Sequence, residues 1–175
     1  MSMELPSGAL LHRHREAGAY TDCYVAEIAR RVTQAEYVEA FYTSWVFKLE
    51  RLLLDWLVSK PSTDLQARAL ARGAVGSFSA WTVEVRTANQ LLLCDFQGRT
   101  RSWLMSAAIP DDASSRTRLY FGSAVVPVVD ARSGRKTMGW VYRALLGFHK
   151  VYSRLLLWAA VSRLLRLRPV KPLAI

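Results

Sequence analysis

The spacing of apolar residues predicts two helices in the first half of the chain. Apolar side chains recur every three or four positions over residues 33–58, which is the spacing of one helical face. Thr33 and Glu36 form a capping-box pattern at the start of this segment. A second capping box begins at Thr63, and Gly73 is placed to end the helix that follows. The sequence therefore predicts one long helix and one short helix in succession.

Alternation of apolar and polar positions predicts an antiparallel sheet around these helices. Residues 19–28 form a first strand, and residues 78–129 are predominantly strand. With two-residue turns at Ala88-Asn89 and Gly98-Arg99, one face of the sheet is almost wholly apolar. A slip of one residue in either turn inverts the facing of a strand. The predicted apolar face consists of Trp81, Val83, Val85, Leu92, Cys94, Phe96, Arg101, Trp103, Met105 and Ala107.

A long helix is predicted from about Thr137 to beyond Ala160. One side carries an apolar stripe and the opposite side carries Arg143, Lys150 and Arg154. Arg163 and Arg166 fall on the stripe, so we expect packing to stop near residue 160. The stripe consists of Val141, Ala144, Leu145, Phe148, Tyr152, Leu155 and Ala159. The domain organisation that follows is a flexible arm over 1–18, a single domain over 19–165 and a basic tail over 166–175.

This order of elements, with the segments FYTSWVFKLERLLLDW and LLLCDFQGRTRSWLM, resembles a known superfamily. The chain is similar to an uncharacterised bacterial group within the START and birch-pollen-allergen superfamily (SRPBCC, polyketide-cyclase-like), over roughly residues 19–165. The resemblance implies a helix-grip α+β fold: a curved antiparallel sheet packed on a long C-terminal helix, with two helices inserted after the first strand. It also implies a hydrophobic cavity that serves ligand binding, lipid transfer or cyclase and dehydratase chemistry.

Composition sets the class of protein. The chain has 175 residues, of which 51% are hydrophobic, and this suits one domain and excludes disorder as the main state. Cys23 and Cys94 are too few for a disulfide scaffold, and we expect them to be buried thiols in a reducing compartment. The first 18 residues lack a signal-peptide core, and no window of about 18 residues is free of charge. We therefore expect a cytoplasmic protein, with peripheral membrane association left open.

The net charge of +10 is concentrated at one end of the chain. Residues 1–130 contain 14 basic and 14 acidic residues, whereas residues 131–175 contain ten basic residues and no acidic one. The neutral body offers no extended basic groove, so we do not expect nucleic-acid binding. Arg143, Lys150 and Arg154 are candidates for contact with an anionic membrane surface. The alternative is a solvated helix face that maintains solubility.

Strong catalytic and cofactor motifs are absent from the sequence. GxSxG, P-loop, GxGxxG and HExxH patterns do not occur, and we predict no catalytic residue, cofactor or metal. His12 and His14 have a spacing that a metal accepts, but we interpret them as incidental. An enzyme of the same fold, using Asp95, Glu84 or Tyr120 for proton transfer, is the alternative.

Aromatic residues and one arginine suggest a ligand pocket. Arg101 projects from the predicted apolar face, where it would bind a carboxylate or phosphate headgroup, or else reach water from the hairpin tip. We predict a non-catalytic module that holds a small apolar or amphipathic molecule, including an anionic lipid-like one, between sheet and C-terminal helix. A structural, oligomer-forming domain with a filled core is a further alternative; the sequence does not predict the oligomeric state. The candidate ligand-binding residues are Trp81, Phe96, Arg101, Trp103, Phe121, Phe148 and Tyr152.

Overall fold

One six-stranded antiparallel sheet organises an α+β fold. The structure, a computed structural model, describes residues 3–49, 63–110, 115–129, 136–137 and 140–167. The sheet order is β1-β6-β5-β4-β3-β2, and β7 pairs with β8 in a separate two-stranded ladder. The strands are β1 (Tyr20–Ile28), β2 (Ser77–Phe78), β3 (Trp81–Arg86), β4 (Gln90–Asp95), β5 (Thr100–Ala108), β6 (Thr117–Val125), β7 (Val128–Val129) and β8 (Lys136–Thr137). The helices are α1 (His12–Glu16), α2 (Gln34–Tyr42), α3 (helical over residues 45–49), α4 (Asp64–Ala71) and α5 (Trp140–Arg166).

Both predicted capping boxes are confirmed. The Thr33 hydroxyl accepts from the Glu36 backbone N–H at 3.2 Å, and the Glu36 carboxylate accepts from the Thr33 N–H at 2.8 Å. Thr63 and Gln66 make the same pair of hydrogen bonds at the start of α4. These contacts satisfy backbone donors that the first turn leaves without intrahelical partners. The two helices therefore begin where the sequence places them.

The single helix predicted over residues 33–58 is wrong. α2 ends at Tyr42, and the Ser44 hydroxyl accepts a backbone N–H bond that begins α3. This break changes the direction in which later side chains point, so Trp45 and Leu49 are exposed instead of continuing the buried face of α2. The remainder of the predicted helix lies outside the described residues.

A β-bulge corrects the predicted facing of β3. The Ala88-Asn89 turn is as predicted, since Arg86 pairs with Leu91. Between Val83 and Val85 the register shifts by one residue. A one-residue shift moves a strand's side chains to the opposite face. Trp81 and Val83 therefore lie on the face opposite to the one that we predicted.

In the hairpin between β4 and β5, the strands pair in a register that differs from the predicted one. Cys94 pairs with Arg101 and Leu92 pairs with Trp103, so the loop contains the four residues 96–99 instead of two. This register differs from the predicted one by two residues. Because side chains alternate with a period of two, the grouping of the side chains on shared faces is nevertheless correct. The face that carries Leu92 and Trp103, which we expected to pack on the C-terminal helix, lies instead on the side of the N-terminal segment.

Both faces of the sheet are covered. The helix side packs against α2, α4 and α5, and its buried strand residues include Tyr24, Leu91, Leu93, Leu104, Leu119 and Phe121. The other face, here the arm side, is covered by residues of the N-terminal segment. Its cluster consists of Ala9, Leu11, Cys23, Leu92, Trp103, Met105, Tyr120 and Ala124. Part of this segment thus packs on the sheet, with Ala9 and Leu11 buried, instead of forming the flexible arm that we expected there.

Helix α5 packs on the body further than predicted. It runs to Arg166, and Leu164 is fully buried, so the expected loss of contact near residue 160 is wrong. Its buried side chains are Ser153, Leu156, Leu157, Ala159, Ala160 and Leu164, whereas Leu155 of the predicted stripe is exposed. Among the described helices, none combines the length and apolar character that crossing a bilayer requires.

A substitution at Gly122 tests how the N-terminal segment packs on the sheet. A methyl group at this position would lie 2.7 Å from the Asp22 carbonyl oxygen, 2.8 Å from Leu11 and 2.9 Å from Trp103. Gly122→Ala is expected to lower the free energy of unfolding by about 1–3 kcal/mol, because backbone and buried side chains must move. Urea denaturation measures the loss. Gly76→Ala, which meets nothing within 4 Å, should be neutral or slightly stabilising, and equal losses in the two variants would contradict this packing.

Candidate functional site

A pocket of about 170 Å³ lies on the helix side of the sheet, between strands β3, β5 and β6 and helices α2, α3 and α5. It is partly open to solvent. Its lining combines large apolar side chains with several small polar ones. The lining residues are Phe41, Phe47, Trp81, Thr100, Arg101, Ser102, Phe121, Ser123, His149, Tyr152, Ser153 and Leu156.

Packed aromatic rings form the apolar wall of the pocket. The Phe41 ring centroid lies 4.9 Å from that of Phe121 and 6.1 Å from that of Phe47. Behind them, the Tyr42 hydroxyl is 3.2 Å from the Ser102 hydroxyl, so a polar pair sits at the border of the wall. These tilted ring arrangements are favourable beyond the area they bury. The wall is therefore a preformed, rigid apolar surface.

Two buried polar atoms of the pocket residues have no hydrogen-bond partner within the described part of the chain. They are the indole N–H nitrogen (Nε1) of Trp81 and the hydroxyl (Oγ) of Ser153. A buried polar atom without a partner costs about 1–3 kcal/mol, and nearly all such atoms in proteins are paired. The residues that carry these atoms line the pocket, so one unpaired donor and one unpaired donor-acceptor group lie within its wall.

A three-residue polar cluster connects α5 to the sheet at the edge of this pocket. The Ser123 hydroxyl donates to Asp22 Oδ1 at 2.7 Å, and the Ser123 N–H donates to the same oxygen at 3.0 Å. His149 Nε2 lies 2.8 Å from Ser123 Oγ and 3.2 Å from Asp22 Oδ2. The Tyr24 hydroxyl donates to Asp22 Oδ2 at 3.3 Å. The carboxylate of Asp22 therefore holds two strands and the C-terminal helix together.

The hydrogen bonds outweigh burial in setting the charge of Asp22. Burial by itself raises the pKa of this carboxyl, but hydrogen bonds from His149 and Ser123, and the attraction of His149, bring its pKa below the ordinary value. Burial, with the negative charge of Asp22, raises the pKa of the neighbouring Tyr24. Asp22 is therefore the charged group of the cluster and Tyr24 a neutral donor to it.

The cluster does not have the geometry of a nucleophilic triad. In a triad the serine and the carboxylate bind opposite nitrogens of the histidine ring, so that the ring transfers the serine proton. Here both groups lie against the same nitrogen, and the Ser123 hydroxyl donates to Asp22 instead of to the ring. The arrangement serves to position α5 and to supply polar atoms to the pocket.

The predicted ligand-binding residues are divided between different parts of the structure. Trp81, Phe121 and Tyr152 line the pocket. Trp103 is fully buried on the arm side, where its indole N–H donates to Gln90 at 2.8 Å. Phe96 is exposed in the β4–β5 loop. The side chain of Phe148 lies outside the described part of the chain.

Arg101 is paired with a carboxylate of its own chain. Its Nε donates to Glu84 Oε2 at 2.9 Å, and its guanidinium also donates to the Gly98 carbonyl. Glu84 in addition contacts His14 Nε2 at 2.9 Å. Burial opposes the charge of Glu84, but the bonds from Arg101 and His14 lower its pKa. Arg101 therefore lines part of the pocket, but its positive charge is paired with the Glu84 carboxylate on the arm side.

The groups considered for catalysis lie away from the pocket. Glu84 is paired as described, and Asp95 Oδ1 accepts backbone N–H bonds from Arg99 and Thr100 in the hairpin loop. Tyr120 belongs to the arm-side cluster. None of the three lines the pocket.

The histidines considered as metal ligands and the two cysteines make contacts within the fold. His12 Nε2 contacts the Pro6 carbonyl at 3.0 Å, and His14 contacts Glu84. No group of three or more His, Cys, Asp or Glu side chains among the described residues is arranged to hold a metal. Burial raises the pKa of the Cys23 thiol to about 12 and also raises that of Cys94. Both thiols are therefore protonated and poorly nucleophilic at neutral pH.

Two of the three residues proposed for membrane contact are described and exposed. Lys150 and Arg154 lie on the surface of α5, and the Arg154 guanidinium carbon is 5.8 Å from the centre of the Tyr24 ring. The side chain of Arg143 lies outside the described residues.

Sequence reasoning missed the cluster of Asp22, Ser123 and His149 as a unit. These residues come from β1, β6 and α5: the pairing of β1 with β6 places Asp22 opposite Ser123, and the packing of α5 on the sheet adds His149. A signal was present, since Asp22 directly precedes the apolar run over residues 23–26 of this strand, and a charged residue at such a position requires partners. The partners themselves are set by the strand register, which the sequence does not specify.

Comparison with known proteins identifies no relative: no family model, curated protein or solved structure matches the chain.

The charge of Asp22 predicts how stability changes in acid. Because the pKa of Asp22 is lowered in the folded state, its contribution is complete above about pH 4 and is lost as the pH falls below that value. Asp22→Asn is therefore expected to be less stable than the wild type at pH 7 and to lose less stability on acidification. Chemical denaturation at a series of pH values measures both effects. Glu16→Gln, an exposed control, should follow the wild-type profile, and an unchanged profile in Asp22→Asn would contradict the assignment.

Proposed function

We propose that this protein is a ligand-binding module whose pocket, between the sheet and α5, holds a neutral single-ring molecule with one oxygen acceptor. The observation that carries the proposal is the pair of unpartnered buried atoms, Trp81 Nε1 and Ser153 Oγ, on residues that line this pocket. Ligand sites are typically apolar with a few placed polar groups that set orientation. A hydroxyl or carbonyl oxygen on the ligand is expected to accept from the Trp81 indole N–H, and the Ser153 hydroxyl offers a second hydrogen bond.

The size of the pocket selects a small ligand. Its volume of about 170 Å³ is close to that of a cavity that holds benzene, roughly 150 Å³. Pockets for larger organic ligands are commonly about 300–1,000 Å³. The pocket therefore holds about one ring of the ligand. A longer substituent extends to solvent through the side where the pocket is open. A lipid-like tail does not fit within the enclosed volume.

The charges around the pocket favour a neutral ligand over an anionic one. The Arg101 guanidinium is bound to Glu84 and to the Gly98 carbonyl, so it does not offer a free positive charge. The ring of His149 is bound to the Asp22 carboxylate, which compensates any charge that the ring carries. A carboxylate in this pocket would be desolvated without a counter-ion, which is costly. The ligand therefore presents a hydroxyl or carbonyl group.

The order and packing of the sheet and helices support the helix-grip interpretation in outline. An antiparallel sheet packs against a C-terminal helix, and α2, α3 and α4 follow the first strand. The pocket lies between sheet and helix, where the helix-grip resemblance expects a cavity. On this basis we propose that the chain is a small helix-grip-like protein with a cavity of about one ring.

The Ser153→Ala variant is expected to change protein stability and ligand binding in opposite directions. Ser153→Ala removes an unsatisfied buried hydroxyl, so the ligand-free protein is expected to gain about 1 kcal/mol of unfolding free energy. The same change is expected to weaken the binding of phenol by roughly two- to tenfold, through loss of one neutral hydrogen bond, and to leave toluene binding unchanged. Calorimetric titration and the ligand-induced rise in melting temperature measure these effects.

Two control variants make this experiment decisive. Ser162→Ala makes the same substitution further along α5, outside this pocket, and corrects for helix propensity. Trp103→Phe removes an indole N–H on the arm side, so it should cost stability and leave phenol binding unchanged. The proposal is wrong if neither probe raises the melting temperature of the wild type, or if Ser153→Ala leaves the preference between phenol and toluene unchanged.

A further inference from the structure

Helix α5 has an exposed apolar stripe opposite its buried face. Val151, Leu155, Trp158 and Leu165 have 64%, 36%, 58% and 66% of their surface exposed. At 100° per residue these four positions fall within an arc of about 80°. Surface leucines and tryptophans occur singly on most proteins, whereas several on one helix face, here interrupted by Ser162, indicate an interaction surface. We refer to these four residues as the outer stripe.

Basic residues border the outer stripe on both sides. Lys150 and Arg154 lie along one border, and Arg163 and Arg166 lie along the other, from the same 100° spacing. Residues 131–175 contain no acidic residue that would offset them. A helix with an apolar face between cationic borders is typical of segments that lie in the headgroup region of a membrane.

A groove beside the outer stripe adds a site for an anionic group. It has a volume of about 180 Å³ and lies between α3 and α5. Two exposed tryptophans, Trp45 and Trp158, line it together with Arg163 and Arg166. The Arg163 Nε atom is buried and has no hydrogen-bond partner among the described residues. A phosphate oxygen entering the groove satisfies this donor with a charge-assisted hydrogen bond.

We propose that the outer stripe and this groove bind the surface of an anionic phospholipid bilayer, with a lipid phosphate in the groove. Tryptophan side chains are enriched at the membrane interface because an apolar ring and a polar N–H suit that region. Each basic residue near an anionic surface contributes about 1 kcal/mol of attraction. The helix lies on the bilayer plane, which agrees with its lack of a bilayer-spanning segment. This surface is separate from the ligand pocket, and the inference does not depend on the proposed function.

Charge favours a bilayer over a second copy of this chain as the occupant. If two copies paired through their outer stripes, the basic residues of one helix would lie close to the basic residues of the other. These residues are Lys150, Arg154, Arg163 and Arg166. Like charges placed together across an interface are costly, and no acidic residue of α5 relieves them. An anionic lipid surface supplies the opposite charge over the whole length of the helix.

The test is flotation of the full chain with vesicles. Vesicles of phosphatidylcholine and phosphatidylglycerol should carry the wild type at low salt and release it as salt rises, whereas phosphatidylcholine alone should not. Arg154→Glu/Arg166→Glu is expected to weaken binding by roughly 25-fold or more, from the attraction of two cations. Trp158→Ser should weaken binding without a change in net charge.

A matched variant distinguishes a docking surface from overall charge. Arg72→Glu/Arg99→Glu lowers the net charge by the same amount at two exposed loop arginines and should bind like the wild type. The inference is overturned if this control loses as much affinity as the α5 variant, or if the wild type does not bind anionic vesicles at low salt. Sedimentation velocity provides a second check: a wild-type dimer that Trp158→Ser dissociates would assign the stripe to self-association and overturn the lipid assignment.

Discussion

The position of helix α5 depends on one buried carboxylate. Asp22 accepts hydrogen bonds from the Ser123 backbone and hydroxyl and contacts His149, so it joins β1, β6 and α5 at a single point. A buried charge is tolerated only when partners satisfy it, and this requirement makes the geometry specific. Below this point, Leu156, Leu157, Ala160 and Leu164 pack their side chains on the core, and the Arg30 guanidinium donates to the Leu164 carbonyl at 3.2 Å. The contact of His149 with Asp22 and Ser123 therefore orients the helix on the sheet, and apolar burial supplies most of the adhesion.

This arrangement gives α5 two different faces. Toward the sheet, Ser153 and Tyr152 border a pocket that the aromatic wall fills only partly. Toward solvent, Trp158 and the arginines form a surface suited to an anionic bilayer. A ligand that enters the pocket contacts residues of the same helix that would lie on the membrane. The two proposals use different residues, so each can be correct without the other.

The sequence predicted those parts of the fold that local interactions determine. The capping boxes at Thr33 and Thr63 and the Ala88-Asn89 turn each involve residues within a few positions of one another, and each is observed. The facing of Trp81 depended on the bulge before Val85, and a bulge leaves no reliable local pattern. The packing of the N-terminal segment was missed because its partners on the arm side are distant in the sequence. For the site, aromatic residues were predicted in part, whereas the Asp22–Ser123–His149 cluster required the strand register.

The N–H resonance of the Trp81 indole reports whether this side chain faces a bound ligand. The six tryptophan indole N–H signals can be followed by ¹H–¹⁵N correlation spectra while phenol is added, with Trp81→Phe to assign the signal. We expect a saturable downfield shift of the Trp81 signal, because its N–H gains an acceptor. The Trp103 signal should stay in place, since its N–H already donates to Gln90 on the other face. An unchanged Trp81 signal at phenol concentrations that raise the melting temperature would show that phenol binds without contacting this N–H, which is the opposite of the proposed site.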